Sequence, residues 1–125
     1  YHYNETPEFF YQVEGDMVLK IIVDGKSQDV AINEGDIYLL PAKVPHSPQR
    51  KANTVGLVIE YPRSEGMLDA LEWYCENCGT QLYRETFALD NIETDMPVIF
   101  DRYYSDTKKC TCSNCGTVMD APNKI

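Results

Sequence analysis

Two short cysteine motifs in the second half of the sequence share the pattern C-x-N-C-G. They run from Cys75 to Cys78 and from Cys112 to Cys115, and each is followed directly by glycine. A CxxC turn lets two thiolates face one ion, and the glycine can adopt a positive φ that points backbone N–H groups at the sulfurs. Two such turns supply four sulfurs, which suits tetrahedral zinc or iron. We therefore predict a metal site here, and we predict a structural role because four sulfurs leave no open coordination position.

A fifth cysteine, Cys110, makes the count odd, so disulfides within the chain cannot pair them all. Two disulfides, or five free buried thiols, are the alternatives to a metal site. A disulfide inside a CxxC motif is usually redox-active, and the flanking sequence has no thioredoxin-like features. Cys110 lies two residues before Cys112 and would also suit a CxC pair. The matching motif at positions 75 and 78 favours the pair at 112 and 115, which leaves Cys110 as the spare.

The sequence has two histidines, His2 and His46, and both fall at a motif-like distance from other residue types. The spacings are His2-x5-Glu8-x6-Gly15 and Gly35-x5-Pro41-x4-His46. Two histidines and one carboxylate form the facial triad of non-haem Fe(II) oxygenases. Three ligands on one octahedral face leave three open positions, where two neighbouring hydroxyl or amine groups of a substrate can bind beside O2. The alternatives are a frayed terminal residue at His2 and a surface-turn histidine at His46.

Composition narrows the classes of partner. The chain has 125 residues, with 11 Lys and Arg against 20 Asp and Glu, and a net charge of -9. An acidic surface repels phosphate backbones, which argues against a nucleic-acid partner. No apolar run approaches the ~20 residues of a membrane span and nothing resembles a signal peptide, so we expect no membrane association. The free thiols predict a reducing, cytoplasmic location.

The first half of the chain has the pattern of short β-strands separated by Gly and Pro turns. We predict five strands, at Glu8–Val13, Met17–Val23, Ser27–Ile32, Ile37–Leu40 and Thr54–Tyr61. Asp24-Gly25 is a hairpin signal between the second and third of these strands. Short strands about ten residues apart indicate an antiparallel sandwich or barrel.

A composition shift at residues 62–66 suggests a boundary, so we predict a barrel at residues 1–63 and an extension at residues 64–125. Beyond it we expect a helical turn at Met67–Leu71 and a strand at Leu82–Leu89. A short helix is then expected to start at Asp95, with Pro97 in its first turn, and to continue through about Tyr104. The inward side chains of this helix would be Val98, Phe100 and Tyr104.

The histidine spacings resemble the two consensus motifs of the cupin superfamily, a small double-stranded β-helix barrel. The sequence departs from those motifs at two positions. Asn4 stands where the first motif normally has a second histidine, and Lys43 stands where the second motif usually has glycine. The remaining ligand set is His2, Glu8 and His46.

A narrower resemblance covers nearly the whole chain. Its residues are Glu8-Phe9-Phe10-Tyr11-Gln12, Glu34-Gly35-Asp36, Leu39-Leu40-Pro41, His46-Ser47-Pro48-Gln49-Arg50, Gly66-Met67-Leu68-Asp69 and Glu72-Trp73-Tyr74-Cys75. These runs, with the two cysteine motifs, look like the bacterial form of the 3-hydroxyanthranilate 3,4-dioxygenase family. The resemblance implies an all-β cupin jelly roll with a short C-terminal extension that carries a rubredoxin-like metal site.

The resemblance also implies an activity. It would be the Fe(II)-dependent extradiol opening of 3-hydroxyanthranilate by O2, which gives 2-amino-3-carboxymuconate semialdehyde, the precursor of quinolinate and NAD. His2, Glu8 and His46 would be the ligands of the catalytic iron, and Glu8, Arg50 and Glu60 would line the substrate site. Arg50 would bind the substrate carboxylate, for which a guanidinium fork is apt. Glu60 would lie near the hydroxyl and amino groups, where it could accept a proton.

Further expectations follow from the same resemblance. Cys75, Cys78, Cys112 and Cys115 would hold a second iron, or zinc, away from the catalytic centre, and the protein would be a homodimer. The family has further barrel strands and a second carboxylate-binding arginine before the position of His2, so we expect an upstream segment that this sequence lacks. Two other interpretations stay open on the residues alone. They are a different small cupin Fe(II) dioxygenase and a non-enzymatic metal-binding cupin module.

Overall fold

The structure is a computed structural model that describes residues 1–122. Within these residues the elements, in chain order, are β1 (His2–Tyr3), β2 (Glu8–Glu14), β3 (Met17–Val23), β4 (Lys26–Ile32), β5 (Ile37–Leu40), β6 (His46–Gln49), β7 (Val55–Glu60), β8 (Asp69–Tyr74), β9 (Gln81–Phe87), α1 (Ile92–Tyr104) and α2 (Thr107–Cys110).

The strands form two sheets in which every pairing is antiparallel. One sheet has six strands in the order β4-β3-β6-β1-β8-β9, and the other has three strands in the order β5-β2-β7. An all-β fold of this kind confirms the predicted fold class and is consistent with a cupin sandwich that carries a C-terminal extension.

The core lies between the two sheets. Phe10 and Leu40 enter it from the three-stranded sheet, and Leu19, Ile21 and Ile32 enter it from the six-stranded sheet. Side chains alternate between the two faces of a strand, so one face of each sheet supplies this core. Burial of a side chain such as Leu19, which is 0% exposed, contributes about 1.5–3 kcal/mol of stability.

The strand predictions for the first half are confirmed, with bounds that differ by at most one residue. Two strands were not predicted. These are β1, which has two residues, and β6, which has four and includes Pro48. Neither is long enough to show an alternating pattern. Both strands are fixed by pairing within the sheet, because β1 lies between β6 and β8, and β6 lies between β3 and β1.

The predicted helical turn at Met67–Leu71 is wrong. Residues from Asp69 onward form β8, which pairs with β1 on one side and β9 on the other. The first four residues of β8 are all buried, so this segment does not show the alternation of a half-exposed strand. The strand predicted at Leu82–Leu89 is confirmed as β9, which spans Gln81–Phe87.

The predicted start of the long helix is also wrong. The N-cap is Asn91, whose side chain accepts a hydrogen bond from the backbone N–H of Glu93, and Pro97 lies inside the helix. Asp95 instead accepts hydrogen bonds from the backbone N–H groups of Asp90 and Asn91, at 2.9 and 2.8 Å. An acidic residue inside the first turn therefore resembled a cap, because it also satisfies free N–H groups.

The inward face of α1 differs from the prediction as well. Ile99 and Tyr103 are its buried residues, while Val98 and Phe100 are 55% and 38% exposed. Tyr104 is half-buried and its hydroxyl accepts a hydrogen bond from Trp73 Nε1 at 3.3 Å.

The six-stranded sheet continues through the predicted boundary between residues 63 and 64, because β8 and β9 belong to it. The division at that point stays a prediction. Among residues 1–122, no helix is long and apolar enough to cross a membrane.

Candidate metal centres

The two histidines and Glu8 converge in the interior of the protein. One donor atom from each of His2, Glu8 and His46 lies within 4.8 Å of the others. Glu8 and His46 are only 2% and 3% exposed. His46 Nε2 lies 3.2 Å from Glu8 Oε2, and the two imidazole centroids are 5.3 Å apart. The residues that the sequence predicted as ligands are therefore brought together.

Both sheets contribute to this cluster. His2 on β1 and His46 on β6 are direct cross-strand partners in the six-stranded sheet. Glu8 begins β2 in the opposite sheet, where it is the cross-strand partner of Glu60. The closed packing of the two sheets is what places the carboxylate against the histidine pair.

Asn4 supports the carboxylate from the position where the cupin motif normally has a second histidine. Its amide donates a hydrogen bond to Glu8 Oε1 at 3.2 Å, which leaves Oε2 beside His46. Burial by itself would raise the pKa of Glu8, but the hydrogen bond and charge of His46, with smaller contributions from Asn4 and Glu60, hold that pKa below its ordinary value. The Glu8 side chain is thus held as an oriented carboxylate.

His46 is oriented by the backbone. Its Nδ1 lies 3.0 Å from the carbonyl oxygen of Val44, which fits an Nδ1–H donor, and its Nε2 lies beside Glu8. This arrangement turns Nε2 of the ring toward the cluster.

His2 is in contact with a buried ion pair. Its Nε2 lies 2.6 Å from Oδ2 of Asp69, which is 1% exposed. Arg63 donates to both oxygens of the same carboxylate, from Nε at 3.0 Å and from Nη2 at 2.6 Å. Burial would raise the pKa of Asp69, but the hydrogen bonds from His2 and Arg63 outweigh it and lower that pKa to about 2. The partner effect is reciprocal, because hydrogen bonding to Asp69 raises the pKa of Arg63.

Glu60 lies at the end of β7 and is tied to the same arginine. Its Oε2 accepts a hydrogen bond from Arg63 Nη1 at 3.1 Å, and its side chain is 33% exposed. Because Glu60 lies directly across from Glu8 in the sheet, it reaches the edge of the candidate metal site.

Arg50 reaches into the space above the three-stranded sheet at Gly56. A Cβ added to Gly56 would overlap the Arg50 guanidinium and would lie 2.8 Å from Gln12 Oε1. Gly56 pairs with Gln12, whose side chain is buried on the inner face of β2. The missing side chain at Gly56 therefore makes the room in which the guanidinium of Arg50 lies.

The donor set fits a divalent metal ion. Two imidazole nitrogens and one carboxylate oxygen are the ligands of the facial triad that non-haem iron enzymes use. Glu8 and His46 are buried. Each of the three side chains has a hydrogen-bond partner that fixes its orientation. Glu60 adds a second carboxylate beside Glu8, and a carboxylate of this kind can accept a proton. The Arg50 guanidinium lies farther along the same sheet, at Gly56 and Gln12.

The four predicted cysteines form a second cluster. One sulfur each from Cys75, Cys78, Cys112 and Cys115 lies within 4.8 Å of the others. Across the cluster the Cys75 and Cys115 sulfurs are 3.6 Å apart, and the Cys78 and Cys112 sulfurs are 3.5 Å apart.

The two cysteine turns have the same backbone geometry. The N–H of Gly79 donates to the Cys75 carbonyl and the N–H of Gly116 donates to the Cys112 carbonyl, both at 2.9 Å. The two glycines have φ values of 78° and 77°, a region that is costly for other residues. The C-x-N-C-G repeat therefore encodes two copies of one metal-binding turn.

Two threonines lower the pKa of thiols in this cluster. The hydroxyl of Thr80 lies 3.2 Å from the sulfur of Cys78, and that of Thr117 lies 3.1 Å from the sulfur of Cys115. These hydrogen bonds are the leading causes that lower the pKa of Cys78 to about 5 and that of Cys115 to about 7. Thiolates are the form that binds metal, so the cluster is suited to an ion.

Cys110 lies outside the cluster, as predicted. It is 3% exposed and its thiol donates to the backbone carbonyl of Tyr103 at 3.3 Å. Tyr103 in turn stacks on Trp73 of β8 with ring centroids 4.2 Å apart. The spare cysteine therefore belongs to the packing that joins α1 and α2 to the six-stranded sheet.

Comparison with known proteins agrees with this geometry. The family model for 3-hydroxyanthranilic acid dioxygenase matches residues 1–104. The chain belongs to this family. A relative from Xanthomonas campestris pv. campestris (strain 8004), a 3-hydroxyanthranilate 3,4-dioxygenase, is 52% identical over 124 residues, which are 99% of this chain and 70% of the relative.

Proteins with the same name from two other organisms are also similar to this chain. The protein from Yarrowia lipolytica is 48% identical over 120 residues, which are 94% of this chain and 70% of the relative. The protein from Ruegeria pomeroyi is 48% identical over 119 residues, which are 94% of this chain and 66% of the relative. Membership of the dioxygenase family confirms the resemblance that the motifs indicated.

Three residues that support this dioxygenase-family site were not predicted from the sequence. They are Asn4, Arg63 and Asp69, which contact Glu8, Glu60 and His2. Asp69 is 67 positions from its histidine partner, so no local spacing connects the two. Two features of the sequence could have indicated Arg63 and Asp69. They carry opposite charges near the predicted boundary, and Asp69 belongs to one of the runs on which the family resemblance rests.

Proposed function

We propose that this chain catalyses the oxidative ring opening of 3-hydroxyanthranilate by O2 to give 2-amino-3-carboxymuconate semialdehyde. Both oxygen atoms of O2 enter the product, and the ring bond between carbons 3 and 4 breaks. The product carries an amine and an aldehyde on one chain, so it can cyclise to quinolinate. The observation that carries the proposal is the buried His2, Glu8 and His46 cluster in a member of this dioxygenase family.

We infer that the metal at this cluster is Fe(II). His2, Glu8 and His46 would hold it, and it would supply adjacent open positions for the substrate and O2. The four-cysteine cluster would hold a second ion, iron or zinc, since four thiolates accept both. Because its four sulfurs fill a tetrahedral shell, this second ion would have a structural role.

The protein side chains supply binding and proton transfer. Arg50 would bind the substrate carboxylate through its guanidinium, which lies in the space left by Gly56. Glu60 would accept the proton of the substrate hydroxyl. Arg63 would hold Glu60 in place for that transfer, since its Nη1 donates to Glu60 Oε2 at 3.1 Å.

Activity and metal content together test this proposal. The full chain is reconstituted anaerobically with Fe(II), and 3-hydroxyanthranilate and O2 are then added. We expect the strong near-ultraviolet absorbance of a muconate semialdehyde, and we expect Arg50→Met to raise KM by about tenfold or more, since losing one charged hydrogen bond costs roughly 1.5–3 kcal/mol.

Metal analysis separates the enzyme from a binding module. We expect two ions per chain in the unmodified protein and one in His46→Ala, while Cys110→Ser, the matched change at the spare cysteine, keeps both. Metal found only at the cysteines would contradict the enzyme assignment. Metal at both sites without turnover of 3-hydroxyanthranilate would favour a different small cupin dioxygenase.

We also propose a homodimer in a reducing, cytoplasmic setting. The outer face of the three-stranded sheet supports the dimer, because Ile37, Leu39, Leu57 and Ile59 are 65%, 64%, 49% and 55% exposed. Contiguous apolar surface of this kind marks an interaction site, and a copy of the same sheet would cover it symmetrically. All five cysteines are free thiols in the structure, which supports the reducing setting.

A further inference from the structure

We infer that Asn77 and Asn114 are positioning residues that join the two cysteine turns through hydrogen bonds to sulfur and tune the ion that the turns hold. The inference rests on the second ion proposed above for the four cysteines. It goes beyond that proposal because it assigns a role to the asparagine of the C-x-N-C-G repeat, which the ligand set leaves without one.

Each asparagine serves an exposed sulfur of the opposite turn. Asn77, in the first turn, donates from its side-chain amide to the sulfur of Cys115, in the second turn, at 3.5 Å. Asn114, in the second turn, is among the groups whose hydrogen bonds to Cys78, in the first turn, lower the pKa of that thiol. The two contacts are therefore reciprocal, and each of them crosses from one turn to the other.

The same two sulfurs also have a threonine hydroxyl from their own turn. The hydroxyl of Thr80 lies 3.2 Å from the sulfur of Cys78, and that of Thr117 lies 3.1 Å from the sulfur of Cys115. Each of these sulfurs thus has one donor from its own turn and one from the opposite turn. Cys78 and Cys115 are the two exposed cysteines of the cluster, so these side-chain donors lie where solvent would otherwise reach the thiolates.

Backbone conformation does not account for asparagine at these two positions. Asparagine is enriched where a residue other than glycine has a positive φ. Within residues 1–122 the residues of that kind are Asp24, Lys43 and Asn53, so Asn77 and Asn114 are not among them. Both asparagines are exposed, so they have no role in packing a core. Their amide contacts to sulfur are the physical reason that we assign to the repeated asparagine.

Donors to sulfur change the properties of a bound ion. Four thiolates around a divalent ion leave a net negative charge, and the net charge of -9 on the chain disfavours adding more. Amide and hydroxyl donors withdraw charge from the sulfurs, and such hydrogen bonds raise the reduction potential of iron held by thiolates. Because each amide also links the two turns, it holds the ligands in the arrangement that binds metal.

Cobalt affinity tests the link between the turns. Co(II) is titrated into the full chain, and the thiolate-to-cobalt charge-transfer bands report this cluster alone, because the other candidate centre has histidine and glutamate ligands. We expect Asn77→Ala and Asn114→Ala each to weaken the site by about 10- to 100-fold. Asn77→Asp should weaken it further, because a carboxylate cannot donate and repels the thiolate of Cys115. If Asn77→Ala does not fold, Asn77→Asp decides, and wild-type affinity in that variant would overturn the inference.

Glu76→Gln and Ser113→Ala are the matched controls. They change the second position of each cysteine motif, and both side chains are exposed. We expect wild-type cobalt affinity in both variants. Losses as large as those in the asparagine variants would mean that the turns tolerate no change, and the assignment to the amides would then fail.

Double-mutant cycles identify the sulfur that each amide serves. Asn77 and Thr117 contact the same sulfur, so the effects of Asn77→Ala and Thr117→Val on cobalt affinity should be non-additive. Thr80 contacts a different sulfur, so Asn77→Ala and Thr80→Val should be close to additive. The reverse pattern would contradict the reciprocal arrangement.

An electronic measurement separates hydrogen bonding to sulfur from a purely structural link. In both asparagine-to-alanine variants we expect the thiolate-to-cobalt bands to move to longer wavelength. We also expect the reduction potential of iron at the cysteines, followed through its visible thiolate-to-iron band, to become more negative. Weaker binding without either shift would overturn hydrogen bonding to sulfur as the cause.

The outcomes also separate this inference from the proposed function. Wild-type affinity in both asparagine variants would overturn the inference and leave the second ion in place. Absence of the charge-transfer bands from the unmodified chain would contradict the second ion and the inference together. None of these measurements needs substrate, so a failure of the proposed dioxygenase activity would not be confused with a failure here.

Discussion

At the scale of single residues, each polar side chain of the candidate site uses one of its polar atoms to bind a supporting group and directs the other toward the site. Glu8 uses one oxygen for Asn4 and keeps the other beside His46. His46 uses one nitrogen for the backbone of residue 44 and keeps the other for the site. Side chains held in this way do not have to be reorganised when a metal or substrate binds, which preserves binding free energy.

Gly56 provides a prediction at this scale. Gly56→Ala places a methyl group where the guanidinium of Arg50 lies, and that flexible group would move before the strand does. We expect the KM for 3-hydroxyanthranilate to rise about tenfold, or about 1.4 kcal/mol, with little change in kcat or in the free energy of unfolding. Steady-state kinetics and urea denaturation measure the three quantities. Val55→Ala, on the same strand, is the control, and an unchanged KM in Gly56→Ala would show that Arg50 is not held by this space.

The ligand candidates could be predicted from the sequence because their chemistry is rare and their spacing is regular. His2 and His46 are its only two histidines, and the cysteine motif occurs twice. The supporting residues could not be predicted in this way. Asp69 and Arg63 are ordinary charged residues, and they acquire their role only when β8 pairs beside β1.

At the scale of elements, the position of each ligand depends on pairing with neighbouring strands. β1 has two residues, which cannot form a stable strand alone, and it is held because His2 pairs with His46 on one side and with Leu71 on the other. The same dependence explains the wrong prediction for residues 67–71. Local sequence there permits a turn, but pairing with β1 and β9 determines a strand.

The N-cap of α1 gives the prediction for this scale. Asn91→Ala removes the side-chain acceptor for the N–H of Glu93, 2.9 Å away. We expect the free energy of unfolding to fall by about 1 kcal/mol, measured by urea denaturation monitored by circular dichroism. Asp101→Ala, an exposed change in the same helix, should cost about 0.5 kcal/mol or less. Equal losses in the two variants would contradict the cap assignment.

At the scale of the whole molecule, the outer surface of the three-stranded sheet differs from the rest of the fold. Alternation along its strands sends one set of apolar side chains into the core and a second set outward. Tyr11 pairs with Ile37 and with Leu57, so the outward set forms a continuous stripe across the three strands. The apolar residues on both faces of these strands are visible in the sequence. A strand that is apolar on both faces normally indicates burial on both. The exposure of the outer face therefore could not be predicted from that pattern.

The homodimer proposal yields the prediction for the whole molecule. Ile59→Lys places a charge on the exposed apolar face, on the edge strand β7, where Ile59 pairs with Phe9. If a second copy covers this face, the charge has to be buried without a partner, and one unpaired buried charge destabilises an interface strongly. We therefore expect sedimentation analysis to give a dimer for the unmodified chain and a monomer for Ile59→Lys at the same concentration. Val98→Lys, which changes a residue of equal 55% exposure on α1, should remain a dimer. A monomeric unmodified chain, or a dimer that survives Ile59→Lys with unchanged affinity, would mean that a second copy does not occupy this face.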